Sequence, residues 1–317
     1  MLHPGARREM FKGANMMFKF LLPLLAAIAF ASAATAESRT VELEVGGVTA
    51  LADLVAPDDE ALKKGVVLIT HGTLAHKDME VVEALQAALS ERGIASLAHT
   101  LTLGIDRRKG MYDCNTAHRH AVEDAVDEIE AWVAWLKKQG VGPVTVLGHS
   151  RGGNQVAWYG AERAGDQISR IVLLAPTTGE TREKQEGSYK ERYKADLADV
   201  LQRAKALAAD GKAKDMMDVP GLVYCPNVKA QARSIISYHG DEPRRDTPSL
   251  IPALKVPVLV IAASEDAIVT DVVERVKPLA DGSKVTLEVV DGADHFFLDF
   301  YAEDAADLIA KFVETGS

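Results

Sequence analysis

The chain has 317 residues, 47% of them hydrophobic and 6% aromatic, and carries a formal net charge of −10. This is enough apolar material for one large core, arranged as a single domain with an insertion or as two domains. The acidic balance, with no basic run to offset it, excludes nucleic acid and anionic lipid surfaces as partners.

The first stretch reads as an address rather than as part of the fold. Lys12 and Lys19 precede the apolar run Phe20 to Phe30, and small residues follow, ending in Ala34-Thr35-Ala36. Charge, then an apolar run, then a small-x-small site is the order of a secretory signal. Residues 1–36 are therefore expected to be a signal peptide and 37–317 the mature domain. The apolar run is too short for a stable bilayer anchor, so the mature chain is expected to be exported, periplasmic or secreted, with no membrane anchor left after cleavage. Cys114 and Cys225 are the two cysteines. In an oxidising compartment they can pair as a disulfide; two separate buried thiols are the alternative.

After the signal, Val41–Val45 and Val48–Val55 flank Gly46-Gly47, the pattern of a hairpin with a primed turn. Gly65–Thr70 is a continuous apolar run suited to a strand covered on both faces. Val81, Leu85 and Leu89 recur at helical spacing up to Gly93, and Ile94–Leu97 reads as a strand. From Ala121 a helix is predicted with Val122, Val126, Ile129, Val133 and Leu136 on its apolar face. Glu123, Asp127, Glu128 and Glu130 fall off that face. Strands are predicted at Val144–Leu147 and Ile168–Leu174, with a helix between them. From Thr177 to about Pro252 no strand is expected. That stretch reads as a long amphipathic helix over Ser188–Ala209 and a second helical piece over Val228–Ser237. Alternation resumes with a strand at Val256–Ala263 and a helix around Val272, Val273 and Val276 capped by Thr270. A strand at Val285–Val290 and a helix from Tyr301 to Val313 close the chain. Strand alternating with helix predicts a mostly parallel sheet with helices on both faces.

The chemistry centres on Gly148-His149-Ser150-Arg151-Gly152, which fits G-x-S-x-G. That pattern sets a serine on a sharp strand-to-helix bend, its hydroxyl raised at the rim of the sheet. A serine hydroxyl is a weak nucleophile and needs a base and a group that orients the base. Asp266 follows one late strand and His295 follows the last, so the order is Ser150, Asp266, His295. Glu265 is an alternative to Asp266. Oxyanion stabilisation needs backbone N–H groups on a tight turn. Thr73, after His71-Gly72, and Arg151, after the nucleophile, are the two candidate donors, with His71 itself read as structural.

Together these residues resemble the α/β-hydrolase superfamily, over about Val41 to Val313. The resemblance implies a mainly parallel eight-stranded sheet flanked by helices, with a helical lid inserted after the sixth strand, at about 177–252. It also implies a serine hydrolase that needs no cofactor and acts on a small-molecule acyl substrate. A carboxylic ester is the favoured bond; an amide, peptide or lactone stays open, as does a non-catalytic binding protein on this scaffold. The glycine triplet of one lipase subgroup is absent, only His71-Gly72-Thr73 standing there. Asp106, Arg107, Arg108 and Tyr112 fall where this fold opens onto the pocket rim. Arg107 or Arg108 is a candidate to bind a substrate carboxylate as a planar fork, with Tyr112 beside them; a solvated basic turn is the competing reading. Cys114, His118 and His120 lack a second ligand cluster, so no metal site is expected.

Overall fold

A computed structural model describes residues 37–314; the expected signal peptide lies outside the described residues. The chain enters as a hairpin of β1 (Glu37–Val45) and β2 (Val48–Ala56). Its turn residues Gly46 and Gly47 both have positive φ, at 61° and 83°, as a primed two-residue turn requires. Then come α1 (Asp59–Lys64), β3 (Val66–Thr70), α2 (Glu80–Glu91), β4 (Ala95–Thr100) and α3 (Asp124–Lys138). These are followed by β5 (Val144–His149), α4 (Arg151–Glu162) and β6 (Arg170–Leu174).

The eight-stranded sheet has the order β1-β2-β4-β3-β5-β6-β9-β10, completed by β9 (Val258–Ala263) and β10 (Val285–Val290). Only the β1–β2 and β2–β4 pairings are antiparallel. The other ladders are parallel, as strands joined by helical crossovers must be. The central strands β3, β4, β5 and β9 are buried along their whole length because both faces are covered. On β3, Val66 and Leu68 feed one core cluster while Val67 and Ile69 feed the other. Residues of α3 and α4 cover the first face, and those of α2 and the last helix, α10 (Phe300–Glu314), the second. Strand residues alternate between faces with period two, so each core takes every second side chain.

The segment between β6 and β9 departs from the expectation of helices alone. It holds α5 (Arg182–Tyr193), α6 (Leu197–Ala209), β7 (Met216–Leu222), β8 (Cys225–Gln231), α7 (Ala232–His239) and the short α8 (Thr247–Leu250). The predicted single helix over Ser188–Ala209 is two helices, broken where Lys194 takes a left-handed conformation with φ 56°. The break lets Tyr189 and Tyr193 of α5 hold the hairpin, their hydroxyls donating to the carbonyls of Gly221 (2.9 Å) and Val223 (2.6 Å). The β7–β8 hairpin was masked in the sequence by Pro220, Gly221 and Pro226, residues that argue against a strand in a larger sheet. They are tolerated because this sheet has two strands only, each an edge. Downstream, α9 (Val272–Val276) begins after Asp271 rather than from Thr270.

A disulfide joins Cys114 to Cys225, with Cα atoms 5.2 Å apart across a separation of 111 residues. It fastens the loop after β4 to the start of β8. The same loop adds a backbone rung to that hairpin: the His118 N–H donates to Lys229 O (2.8 Å) and the Gln231 N–H to His118 O (2.9 Å).

Candidate active site

Ser150 sits at the carboxyl end of the central strand β5, where the chain turns into α4. Its backbone is at φ 56°, ψ −122°, a region that non-glycine residues rarely occupy. The bend is tight because its flanking glycines let backbone meet backbone. A Cβ on Gly148 would lie 2.2 Å from Gly152 O, and one on Gly152 would lie 2.4 Å from Thr70 O. No side chain fits at either place, which is the physical content of the two fixed glycines in the motif.

Asp266 and His295 emerge from the loops after β9 and β10, on the same edge of the sheet as Ser150. His295 Nδ1 and Asp266 Oδ2 are 2.7 Å apart, and both side chains are buried. A carboxylate only accepts, so Nδ1 carries a proton, and in the neutral ring the lone pair is on Nε2. Asp266 Oδ1 accepts from the N–H groups of Ile268 (2.7 Å) and Val269 (2.8 Å), which fixes the carboxylate's rotamer. Burial raises the Asp266 pKa, but the hydrogen bond from His295 and those from the two backbone N–H groups outweigh it and hold it below its ordinary value. Glu265, the alternative, is exposed. Ser150 and His295 line one cavity, although no hydrogen bond joins their side chains among the described residues. Such contacts commonly close only with substrate in place.

The histidine of the motif has a role that sequence reasoning missed. His149 Nε2 donates to the backbone carbonyl of His295 at 2.8 Å, so the residue before the nucleophile holds the loop that carries the base. Burial, and then the neighbouring His295, lowers the His149 pKa to about 4, which keeps the ring neutral. His149 is the last residue of β5, directly before Ser150.

The turn after β3 is braced from behind. The Leu101 N–H donates to His71 Nε2 (2.9 Å), so the proton is on Nδ1, which donates to Gly72 O (2.8 Å). Burial, reinforced by the Arg108 charge, lowers the His71 pKa well below its ordinary value. Arg151 Nε donates to Thr73 Oγ1 (2.8 Å), tying the two candidate oxyanion loops together. As the first residue of α4, Arg151 has a backbone N–H with no intrahelical acceptor.

Three proposed substrate contacts fall elsewhere. Arg107 is half exposed and pairs with Glu42 on the outer hairpin. Arg108 is buried, donating to the carbonyls of Leu101 (2.7 Å), Gly110 (2.7 Å) and Ala75 (2.5 Å), so its fork is spent on the main chain. Tyr112 is buried, its hydroxyl on Ala117 O (3.3 Å). None of the three lines the cavity. A charged residue after a strand end looks alike in sequence whether it faces a pocket or ties down its own loop.

The cavity has a volume of about 1000 Å³. One wall is the sheet edge with Ser150 and His295; the other comes from the segment between β6 and β9, including Tyr189, Tyr193, Val223, Tyr238 and Arg245. Met111, Tyr224, Ile268 and Phe296 are partly exposed apolar side chains among its lining. Tyr238 is fixed through a short chain of rings: its hydroxyl meets His120 Nδ1 at 2.9 Å, and His120 Nε2 meets His118 Nδ1 at 3.1 Å.

An eight-stranded, mostly parallel sheet with a serine elbow on its central strand defines an α/β hydrolase. The chain belongs to the alpha/beta hydrolase family, whose family model matches residues 66–311. Among solved structures it is similar to Est1E from Butyrivibrio proteoclasticus, at 18% identity and a TM-score of 0.57, covering 86% of this chain and 96% of that one. It is also similar to the Pyrococcus furiosus esterase Pf2001, at 17% identity and a TM-score of 0.54, covering 88% and 90%. A third likeness is to the 2,6-dihydroxy-pseudo-oxynicotine hydrolase, at 17% identity and a TM-score of 0.57, covering 90% and 70%. At these identities the likeness is one of fold. No curated protein sequence matches the chain.

Proposed function

We propose that this chain is an exported serine hydrolase of carboxylic esters on small molecules. The observation that carries the proposal is the Asp266–His295 hydrogen bond, which engages Nδ1, with His295 and Ser150 lining one cavity. His295 Nε2 takes the Ser150 proton as Oγ bonds to the ester carbonyl carbon. The tetrahedral oxyanion is held by the N–H groups of Thr73 and Arg151. The intermediate collapses, the ester C–O bond breaks, and the departing alcohol takes the proton from His295. Water then attacks the acyl-serine, again giving its proton to His295. The acid leaves and Ser150 recovers its proton.

The segment between β6 and β9 acts as a lid, since it forms the wall facing Ser150. Export is supported by the apolar run at Phe20–Phe30 and by the disulfide, a bond that persists in oxidising compartments. No helix among the described residues is long and apolar enough to cross a membrane. The likeness to the Pyrococcus furiosus esterase Pf2001 favours an ester over other acyl bonds. The test is labelling with a fluorophosphonate and turnover of a 4-nitrophenyl ester. Both should occur in the wild type and vanish in a folded Ser150→Ala variant. Turnover surviving that change would refute the mechanism.

A further inference from the structure

The cavity has an uneven charge ledger. Each acid that lines it already faces a cation: Glu180 with Lys184 (3.5 Å), Asp241 with Arg182 (2.5 Å) and Glu242 with Arg244 (2.6 Å). Asp246 pairs with Arg275 (2.8 Å), which also reaches Asp271 (4.0 Å). Three lining arginines, Arg151, Arg192 and Arg245, have no carboxylate partner among the described residues. In a chain of net charge −10, cations left over in one cavity are placed against the general field of the molecule.

Two of the three stand deep in the site. Arg151 follows the nucleophile; only its Nε is engaged, and its guanidinium lies 5.3 Å from the centre of the Tyr238 ring. Arg245 donates to the carbonyls of Tyr238 and Gly240, while its buried Nε has no hydrogen-bond partner. His239 Nε2, beside it, is also buried and unpartnered. Burial, and then the like charges of Arg151 and Arg182, lower the Arg245 pKa to about 10. It is still a cation at neutral pH. Glu242 and Asp241 act on it only from a distance, each being paired with another arginine, and a largely buried cation with no directly paired carboxylate is costly unless a ligand supplies one.

From this geometry we infer that the substrate is itself an anion: an ester carrying a carboxylate a few atoms from the scissile carbonyl, bound by Arg151 and Arg245. The inference rests on the hydrolase reading and narrows it. The planar guanidinium fork suits a carboxylate, and the apolar lining of Met111, Ile268 and Phe296 accommodates the carbon chain between the two ends.

The test compares matched esters that differ only by carboxylate against primary amide. One pair places the group on the acyl side, as mono-4-nitrophenyl glutarate and its glutaramic counterpart. The other places it on the alcohol side, as 4-butyryloxybenzoate and 4-butyryloxybenzamide. The wild type should favour the charged member of at least one pair by about tenfold or more in kcat/KM, the range of a charge-assisted hydrogen bond. Arg245→Gln and Arg151→Gln should each pull that ratio toward one. The ratio is insensitive to a general loss of active protein, and Arg151→Gln serves where loss of the Arg245 carbonyl bonds prevents folding. A wild-type ratio of one or less in both pairs overturns the inference, as does a preference that neither substitution reduces. If neutral esters are turned over as well as charged ones, the hydrolase reading stands and this inference alone falls. If no ester is turned over and Ser150 resists the fluorophosphonate, both fall.

Discussion

Replacing both Cys114 and Cys225 with alanine should weaken the fold and loosen the cavity in distinguishable ways. The bridge closes a loop across 111 residues, and a cross-link of that span removes conformations mainly from the unfolded chain. The chain-entropy relation gives about 5 kcal/mol at 25 °C. For a domain of this size that corresponds to a fall in Tm of roughly 8 °C. Cys225 is fully buried in the apolar core, so alanine there leaves no unsatisfied polar group. The functional effect should fall on binding. Val223 and Tyr224, immediately before Cys225, line the cavity, whereas Ser150 and His295 hang from the main sheet. KM for an ester substrate should therefore rise several-fold while kcat stays within about twofold. Thermal unfolding followed by circular dichroism, with and without reductant, and steady-state kinetics provide the readouts. A Tm within about 2 °C of the wild type, insensitive to reductant, would refute the reasoning.

Two further perturbations probe the elbow and a buried charge. Gly152→Ala forces a methyl group to within 2.4 Å of Thr70 O and 2.5 Å of His71 O. Backbone cannot give way there as a flexible side chain would, so a loss of about 3 kcal/mol or more is expected, with activity falling further than stability explains; wild-type activity in this variant would contradict the close packing. Glu128 is buried and accepts from the Thr102 N–H (2.8 Å) and hydroxyl (2.7 Å); burial raises its pKa from 4.5 to about 7. Between those values the native state holds the extra proton. Stability should therefore fall as pH rises through that window, by about 3 kcal/mol at most from this group. Glu128→Gln should flatten the dependence, and an unchanged slope in urea titrations at pH 5, 6 and 7.5 would count against it.

Much of the sheet could be read from the sequence because its strands are covered on both faces and so spell continuous apolar runs, as at Val66–Thr70 and Val258–Ala263. Ser150 and Asp266 were legible for a related reason, each lying just past the end of such a run, and His295 follows the edge strand β10, whose valines mark it despite Thr286 and Glu288. What escaped notice was set by tertiary partners. Glu128 has the spacing of a solvated position, yet it turns inward because Thr102, on the far side of a strand end, offers two donors. Arg108 looks like a ligand for a substrate until three carbonyls converge on it. The β7–β8 hairpin carries prolines and so lacks a strand's composition; the tyrosines of α5 and the bond to Cys114 supply what its own residues do not. His149 gave no sign of its contact with the His295 carbonyl, which joins the end of β5 to a loop distant in the chain.

The excursion between β6 and β9 leaves and re-enters the sheet at adjacent strands, with Ile171 paired to Val258 and Leu174 to Ile261. The ladder of the main sheet is thus complete without residues 176–256, and Ser150, Asp266 and His295 all lie outside them. The part of the cavity wall that the excursion supplies can therefore be rewritten, lengthened or exchanged between relatives while the sheet that carries Ser150, Asp266 and His295 stays as it is.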